Sequence, residues 1–222
     1  MFQLALNHIV LGAFAAIASS LVGMTTYRTV TLEQDTVVDF IVVGSGSAGS
    51  VVASRLSENP NWEVLVLEAG GQPPPESKVP GLSSYGLLSE SKYNYDYKVV
   101  TQRHALLNYV NQGNFYPRGK VIGGTSTINF MVYFRGNRKD YDRWAGMGNT
   151  GWDYDSVLPF FKKIENYKGK HAKKYAKYHG RTGPLSVESM RWDSPFTKYF
   201  MAAGKELGLK QVDFNSEYHV GE

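Results

Sequence analysis

One stretch in the first third of the chain restricts the fold more than any other. Residues 37–43 (VVDFIVV) form an apolar, β-branched run of strand length, and residues 44–49 (GSGSAG) follow at once. Helix-compatible residues continue to Leu56, Asn59-Pro60 interrupts them, and residues 63–67 (EVLVL) form a second apolar run. This order predicts a βαβ unit, and its near-continuous apolar strands are typical of a parallel sheet buried on both faces by helices.

The spacing of the glycines predicts a binding site for a dinucleotide. Gly44 permits a sharp turn, Gly46 lets a pyrophosphate approach the backbone, and Gly49 lets the helix pack closely on the strand. The phosphates then meet the positive N-terminus of the helix. Glu68 ends the second strand, where its carboxylate can accept hydrogen bonds from an adenosine ribose and would repel a 2′-phosphate. NAD or FAD is therefore favoured over NADP, and a glycine-rich structural turn is the alternative.

Composition narrows the class of protein further. The 222 residues are 42% hydrophobic and 20% charged, as in folded globular proteins. With no cysteine, the chain has no disulfide framework, cysteine-based metal site or thiol nucleophile. The five histidines show no metal-ligand spacing, so we expect neither a metal site nor a catalytic base among them. A net charge of +4, from 24 basic and 20 acidic residues, is weak support for a polyanionic partner.

The N-terminus resembles an export signal. Residues 1–24 contain no Asp, Glu, Lys or Arg, and the apolar stretch from Ile9 to Val22 is short for a membrane span. Small residues at Ala16 and Ala18 suit signal peptidase. We expect a signal peptide at 1–23, a polar linker at 24–36, a secreted protein and no stable membrane span. An uncleaved membrane anchor and a buried apolar helix are the alternatives, because the usual basic residues are missing.

A second stretch, residues 118–136 (RGKVIGGTSTINFMVYFRG), combines two basic residues at its start, a double glycine, two hydroxyls at a helix start and an asparagine within an apolar run. Arg118 and Lys120 could neutralise a pyrophosphate or pair with surface acids, and the sequence leaves both open. After Glu68, residues 69–71 (AGG) lead into three prolines at 73–75, so the chain leaves the sheet. A plain NAD domain would leave residues 118–136 unexplained.

Together these motifs resemble the glucose–methanol–choline (GMC) family of FAD-dependent oxidoreductases. That family carries an N-terminal Gly-x-Gly-x-x-Gly unit ending in Glu-Ala-Gly, and later Arg-Gly-Lys-x-x-Gly-Gly-[Ser/Thr]-Ser-x-x-Asn followed by Tyr-x-Arg-Gly. Further similarities lie at 140–144 (DYDRW), 151–152 (GW), 158–163 (LPFFKK) and 179–185 (HGRTGPL). The resemblance runs from about Asp39 to Asn215 and is greatest to insect glucose-dehydrogenase-like members.

The resemblance implies an α/β fold: an FAD/NAD(P)-binding, Rossmann-like doubly wound domain over 37–222, without the C-terminal part of the GMC fold. It implies FAD as cofactor, with the glycine turn on its pyrophosphate, Glu68 on its ribose, and 121–125 and 129–132 running toward the isoalloxazine. Met131 and Val132 would keep the ring dry, whereas Asn129 could instead be a satisfied buried amide. The cofactor-binding residues so implied are Gly44, Ser45, Gly46, Ser47, Ala48, Gly49, Glu68, Ala69, Val121, Gly124, Thr125, Asn129, Phe130, Met131 and Val132.

Oxidation of an alcohol by a flavin requires a base that takes the hydroxyl proton while hydride leaves carbon for N5. The family supplies that base as a late histidine beside a second His or Asn, and nothing before Glu222 corresponds. We therefore expect the FAD-binding part of an oxidoreductase acting on CH–OH donors, with alcohol or sugar substrates in its full-length form. The 222 residues hold no catalytic residue and are expected to be inactive alone. A truncated, non-catalytic secreted product that retains part of the nucleotide-binding fold is the alternative.

Two helices and one basic stretch complete the predictions. Asp153 should cap a helix with Pro159 in its first turn and an apolar face in the core; that face is Val157, Phe160, Phe161 and Ile164. Ser194 should cap a second helix that ends at Gly208 and buries Phe196, Phe200, Ala203 and Leu207. The lysine-rich residues 162–181 are interpreted as a solvated surface loop, with no nucleic-acid partner.

Overall fold

The computed structural model describes residues 27, 29–33, 35–82, 92–109, 115–170 and 172–217. The predicted signal peptide lies outside these residues. Within the described ranges, no helix is long and apolar enough to cross a membrane. The chain forms two compact units, Met1–Val132 and Tyr133–Glu222.

The first unit is built on the predicted βαβ motif. Strand β1 (Phe40–Val43) pairs in parallel with β2 (Val64–Leu67), in register from Phe40 opposite Val64 to Val43 opposite Leu67. Helix α1 (Ser47–Leu56) connects them and contacts both strands. The βαβ prediction is therefore confirmed, with a first strand that begins at Phe40 instead of Val37.

The expectation that helices bury both faces of this sheet is wrong for the described residues. Val42 points toward α1 and is 8% exposed, whereas its neighbours Ile41 and Val43 are 59% and 82% exposed. Successive side chains of a strand point to opposite faces. Helix α1 packs against both strands and covers the face that carries Val42, whereas the face that carries Ile41 and Val43 is largely exposed among the described residues.

The rest of the first unit is irregular backbone stabilised by short elements. Two 3-10 helices (Pro75–Lys78 and Pro80–Leu82) follow the proline run. Strands β3 (Tyr97–Lys98) and β4 (Phe115–Tyr116) form an antiparallel ribbon. A third 3-10 helix, Gly124–Thr127, lies where a helix start was predicted, between the core residues Val121 and Ile128.

The second unit contains α2 (Arg138–Gly146), α3 (Tyr154–Ile164), the parallel strands β5 (Glu165–Tyr167) and β6 (Leu185–Val187), and α4 (Thr197–Glu206). Asp153 caps α3 as predicted, accepting a hydrogen bond from Ser156 N. Pro159 is the sixth residue of α3, not a first-turn residue, so that prediction is wrong. Phe160 is exposed and does not belong to the core.

Helix α4 also differs from the prediction at its start and on its apolar face. It begins at Thr197 with Phe196 at the N-cap position, while Ser194 lies before it and accepts the Thr197 N–H through its carbonyl. Gly208 ends the helix as predicted, with φ of +83°. The predicted core stripe is wrong, because Phe196, Phe200 and Leu207 are each at least three-quarters exposed: no described element packs against them closely enough to bury them.

Candidate cofactor site

The predicted turn at the end of β1 has the geometry that its glycines suggest. Gly44 has φ of +95°, a left-handed conformation that favours glycine, and its N–H donates to Leu67 O at 2.7 Å. A Cβ on Gly49 would lie 1.9 Å from Gly44 O and 3.3 Å from Val42 Cγ1. Gly44 thus makes the turn, and Gly49 allows α1 to pack directly on β1.

The N-terminus of α1 can receive an anion. Gly46 is its N-cap residue, and no side chain caps this end of the helix. Ser47, Ala48 and Gly49 form the first turn, and the first N–H groups of a helix lack partners within it. A Cβ on Gly46 would have ordinary contact only with Gly124 Cα, at 3.9 Å. Uncapped amides beside an open backbone fit a diphosphate.

Glu68 lies beside this turn and is ionised. Its Oε2 accepts hydrogen bonds from Ser45 N and Ser45 Oγ, both at 2.8 Å, and its Oε1 accepts one from Gly70 N at 2.8 Å. Burial raises the pKa of the Glu68 carboxyl, but the hydrogen bonds from Ser45 and Gly70 outweigh burial and bring the pKa below its ordinary value. A carboxylate offers about four lone pairs, so Glu68 can also accept a ribose hydroxyl.

The second predicted segment lies directly against the glycine turn. Gly123 N donates to Ser45 Oγ at 3.3 Å, and the hydroxyls of Ser47 and Ser126 are in hydrogen-bond contact. Thr125 Oγ1 accepts from Gly119 N at 3.1 Å and shapes the loop. Two segments separated by 78 residues in sequence, at Ser45 and Gly123, are therefore in direct contact, as contact of both with one dinucleotide requires, and we call the region where they meet the cofactor crevice.

Gly124 is the closest point of approach between the two segments. A Cβ on Gly124 would lie 2.8 Å from Gly46 Cα, and Gly124 has a φ of +58°. Sequence reasoning expected one cofactor to reach both the glycine turn and the loop around Gly123, but it did not predict that Gly123, Gly124 and Ser126 contact the turn directly. The double glycine at 123–124 was the available signal, but a sequence does not show which backbone it meets.

Near the end of the first unit, the predicted flavin-facing residues form an exposed apolar run. Asn129 Oδ1 accepts a hydrogen bond from Met131 N at 2.8 Å, and Met131 has φ of +59°. Three consecutive side chains are exposed, those of Phe130, Met131 and Val132. Val121, in contrast, is fully buried. Ala69 comes directly before Gly70, where a Cβ would lie 2.0 Å from Val121 N. The whole of Val121, backbone included, is buried, so this residue offers a cofactor no exposed surface.

Among the described residues, Arg118 and Lys120 form no ion pair with a surface acid, and both cations lie against aromatic rings. The Arg118 guanidinium lies 4.0 Å from the Tyr116 ring centroid, and the Lys120 ammonium lies 5.6 Å from that of Tyr95. Both cations are exposed on the β3–β4 side of the unit. These contacts are cation–π interactions.

The second unit contains a buried charged cluster that sequence reasoning missed. Arg135 Nη2 contacts Glu165 Oε2 at 2.6 Å, and both side chains are within 1% of complete burial. His179 Nδ1 is 3.1 Å from Glu165 Oε1, and His179 Nε2 is 3.2 Å from Asp213 Oδ2. Tyr167 stacks on the His179 ring and donates its hydroxyl to Asp213 at 2.8 Å. We call these residues, Arg135, Glu165, Tyr167, His179 and Asp213, the buried clasp.

The clasp requires His179 to carry a positive charge. Burial raises the pKa of Glu165 and Asp213, but hydrogen bonds from His179 and backbone amides outweigh it; the pKa of Glu165 falls below its ordinary value and that of Asp213 falls to about 2. An ionised carboxylate only accepts hydrogen bonds, so both ring nitrogens of His179 must donate. Burial alone lowers the pKa of His179, but its bonds to Asp213 and Glu165 raise it above the ordinary value. This histidine is structural, and within the described ranges no group of His, Asp or Glu is arranged for a metal ion.

Comparison with known proteins gives a consistent result. A family model described as GMC oxidoreductase matches residues 38–222. The chain is 45% identical over 189 residues to a protein of Drosophila pseudoobscura pseudoobscura named glucose dehydrogenase [FAD, quinone], covering 85% of this chain and 30% of that relative. It is 40% identical over 185 residues to an oxygen-dependent choline dehydrogenase of Rhizobium johnstonii, covering 82% of this chain and 32% of that relative.

A solved structure shares the fold as well. The crystal structure of pyridoxine 4-oxidase from Mesorbium loti is similar with a TM-score of 0.71 and 34% sequence identity, over 83% of this chain and 35% of that one. The chain thus spans about a third of the length of the relatives that it matches.

Proposed function

Because the chain belongs to the GMC oxidoreductase family, we propose that it forms the FAD-binding part of an enzyme that oxidises the CH–OH group of an alcohol or sugar. FAD is the cofactor of this family. The names of its relatives, glucose dehydrogenase and choline dehydrogenase, specify donors that carry a hydroxyl group. Such donors support the reaction class.

A single observation carries the proposal: the glycine turn and the Gly123-Gly124 loop meet. Ser45 contacts Glu68 through its hydroxyl at 2.8 Å and also accepts the Gly123 N–H at 3.3 Å. Ser45 thus joins the ribose-binding carboxylate, the diphosphate-binding turn and the second loop. An extended dinucleotide contacts widely spaced groups at once, so this convergence is what a bound FAD needs.

Each part of the crevice has a distinct role in this proposal. The first-turn amides of α1 bind the diphosphate, Glu68 orients the adenosine ribose, and the Gly123-Gly124 turn, whose two amides donate to Ser45 Oγ and Val121 O, holds the second segment against the glycine turn. Met131 and Val132 exclude water from the isoalloxazine. FAD supplies hydride acceptance at N5 when bound, and this chain positions and shields it.

The 222 residues alone are proposed to bind FAD weakly and to turn over no substrate. The apolar run Phe130, Met131 and Val132 is exposed, so a flavin lying on it would have one face open to water. Bare Ile41 and Val43 show that the sheet beneath the site also lacks a covering layer among the described residues. Steady-state oxidation of an alcohol or sugar by this chain would contradict the proposal.

The test is titration of the purified chain with FAD, following quenching of flavin fluorescence, with NAD as competitor. We expect saturable FAD binding that NAD does not displace, and Gly46→Leu should abolish it because the side chain occupies the pyrophosphate position. Gly81→Leu is the matched control, since a Cβ there meets nothing within 4 Å. Preferential binding of NAD, or unchanged FAD affinity in Gly46→Leu, would reject the assignment.

A chain extended to the full family length should be yellow and should be bleached by an alcohol or a sugar under anaerobic conditions. A correctly folded, colourless protein would reject the flavin assignment.

Export of the protein is also proposed, on the composition of residues 1–23. Expression in insect cells should place the chain in the medium without those residues. Recovery of the intact chain in the membrane fraction would favour the uncleaved anchor instead.

A further inference from the structure

A strongly basic stretch of the chain joins α3, β5 and β6. Residues 162–181, here called the lysine segment, contain seven lysines and one arginine against a single acid, Glu165. All of these cations except the half-buried Lys162 are exposed; they are Lys163, Lys168, Lys170, Lys173, Lys174, Lys177 and Arg181.

The only acid of the segment does not neutralise this surface. Glu165 is fully buried and accepts hydrogen bonds from Arg135 and Gly180, and it faces His179. The buried clasp therefore removes from the surface the one negative charge that the sequence places among the lysines.

Acids from elsewhere compensate two cations. Lys170 contacts Asp193 at 2.9 Å, and Lys177 lies 3.8 Å from Glu217. Within the described part of the chain, no ion pair involves Lys163, Lys168 or Lys173. The segment thus carries a concentrated, largely uncompensated positive charge that attracts anions over about a Debye length.

The tyrosines between the lysines do not serve as a stacking surface. Tyr167 stacks on His179, Tyr178 is buried, and Tyr175 is half-buried with the Lys174 ammonium over its ring. Single-stranded nucleic acids are held largely by bases that stack on exposed aromatic rings. The lysine segment lacks such rings among its described residues, so its chemistry does not suit a single-stranded nucleic acid.

A membrane surface is also disfavoured. Helices and loops that bind bilayers insert apolar side chains next to their cations. Among the described residues, no exposed large apolar side chain lies between Phe160 and Leu185. The lysine segment therefore has exposed cations but, among its described residues, no exposed large apolar side chain that could insert into a bilayer.

We propose that the lysine segment is a docking surface for a sulfated polysaccharide. Sulfate groups are charged at every physiological pH, and a sugar chain repeats them along a flexible backbone that can follow exposed lysines. Binding would come from release of condensed counterions, so it would weaken steeply with salt. The lysine segment belongs to the second unit, whereas the cofactor crevice belongs to the first. Such binding would retain the protein on an anionic matrix.

The test is the salt dependence of binding to heparin, measured by surface plasmon resonance from about 50 to 200 mM NaCl. The variant is Lys163→Gln/Lys168→Gln/Lys173→Gln, and the matched control is Lys198→Gln/Lys205→Gln/Lys210→Gln on and after α4. Both lower the net charge from +4 to +1. We expect the slope of log K against log [NaCl] to fall by about 2 in the variant, at roughly 0.7 for each lysine that no longer binds a sulfate, and to stay near the parent value in the control.

Equal loss of affinity in the two variants would show that net charge alone is responsible and would overturn the proposal. So would binding to dextran lacking sulfate, or tighter binding to a single-stranded oligonucleotide or to vesicles containing phosphatidylserine than to heparin. Circular dichroism of both variants must match that of the parent protein.

Discussion

Removing the histidine of the buried clasp should destabilise the second unit in a way that depends on pH. In His179→Phe the ring keeps its approximate size and its stacking position on Tyr167, but neither nitrogen remains to donate to Glu165 or Asp213. The side chains of His179 and Glu165 are completely buried, so water cannot replace these bonds. Breaking a buried ion pair by removing one partner costs about 3–5 kcal/mol, and we expect a loss of this size at pH 6.

The pH dependence follows from the direction of each pKa shift. The pKa of His179 is raised on folding, so its stabilisation is complete below the ordinary histidine value of about 6.5 and is lost as pH rises through the raised value. The pKa values of Glu165 and Asp213 are lowered, so their stabilisation is present above the ordinary carboxyl values of about 4 and is lost as pH falls. Stability from the clasp should therefore be greatest between about pH 5 and 6.5.

The assay is urea denaturation followed by tryptophan fluorescence at pH 6, 7, 8 and 9. The parent protein should lose stability above pH 6.5 with a slope of at most about 1.4 kcal/mol per pH unit, the value for one proton. The slope should be absent in His179→Phe and unchanged in His104→Phe, which replaces an exposed histidine. A His179→Phe variant that keeps the parent slope, or loses less than about 1 kcal/mol at pH 6, would refute the assignment of a buried imidazolium.

Two further predictions concern the cofactor crevice. Gly124→Ala should cost about 1–3 kcal/mol of stability and abolish FAD binding, because its Cβ would lie 2.8 Å from Gly46 Cα at φ of +58°; unaltered urea midpoint and FAD affinity would contradict this. Glu68→Gln should weaken FAD binding about tenfold at pH 7, because the substitution removes an ionised acceptor for Ser45 and the ribose. The difference in affinity between the variant and the parent should shrink as pH falls through the pKa of the Glu68 carboxyl. A pH-independent difference in isothermal titration calorimetry would count against ionisation of Glu68.

Local signals predicted the parts of the fold that depend on neighbouring residues. The alternation of an apolar strand, a glycine turn and a helix predicted β1, α1 and β2, and Gly44 and Gly49 have the conformation and packing expected of them. Asp153 caps α3, and Gly208 ends α4. Each of these features is set by backbone conformation or hydrogen bonds within a few residues, so a pattern in the chain can indicate it.

The same patterns failed where distant segments had to meet. The stripe of Phe196, Phe200 and Leu207 predicts an amphipathic helix but not what covers it, and in this chain the stripe is exposed. Ile41 and Val43 have the pattern of buried strand residues, yet one of the two sheet faces is bare. Periodicity specifies which side chains share a face, whereas burial depends on another element arriving there.

The cofactor crevice and the buried clasp also combine features that the sequence predicts with contacts that only the tertiary structure shows. The order of residues 44–49, Glu68 and 118–129 was enough to indicate a dinucleotide site and the family. It could not show that Gly124 approaches Gly46, or that His179 lies between Glu165 and Asp213, residues 14 and 34 positions away. Those contacts join residues far apart in the sequence, and they determine the chemistry of the side chains. His179, which had no evident role in the sequence, is a buried cation, and Glu165, the one acid among the lysines, is buried instead of lying on the surface. Local geometry depends on neighbouring residues, so the order of the chain predicts it directly. Which buried charges pair is decided by the tertiary structure, because a charge removed from water is costly unless it has a partner.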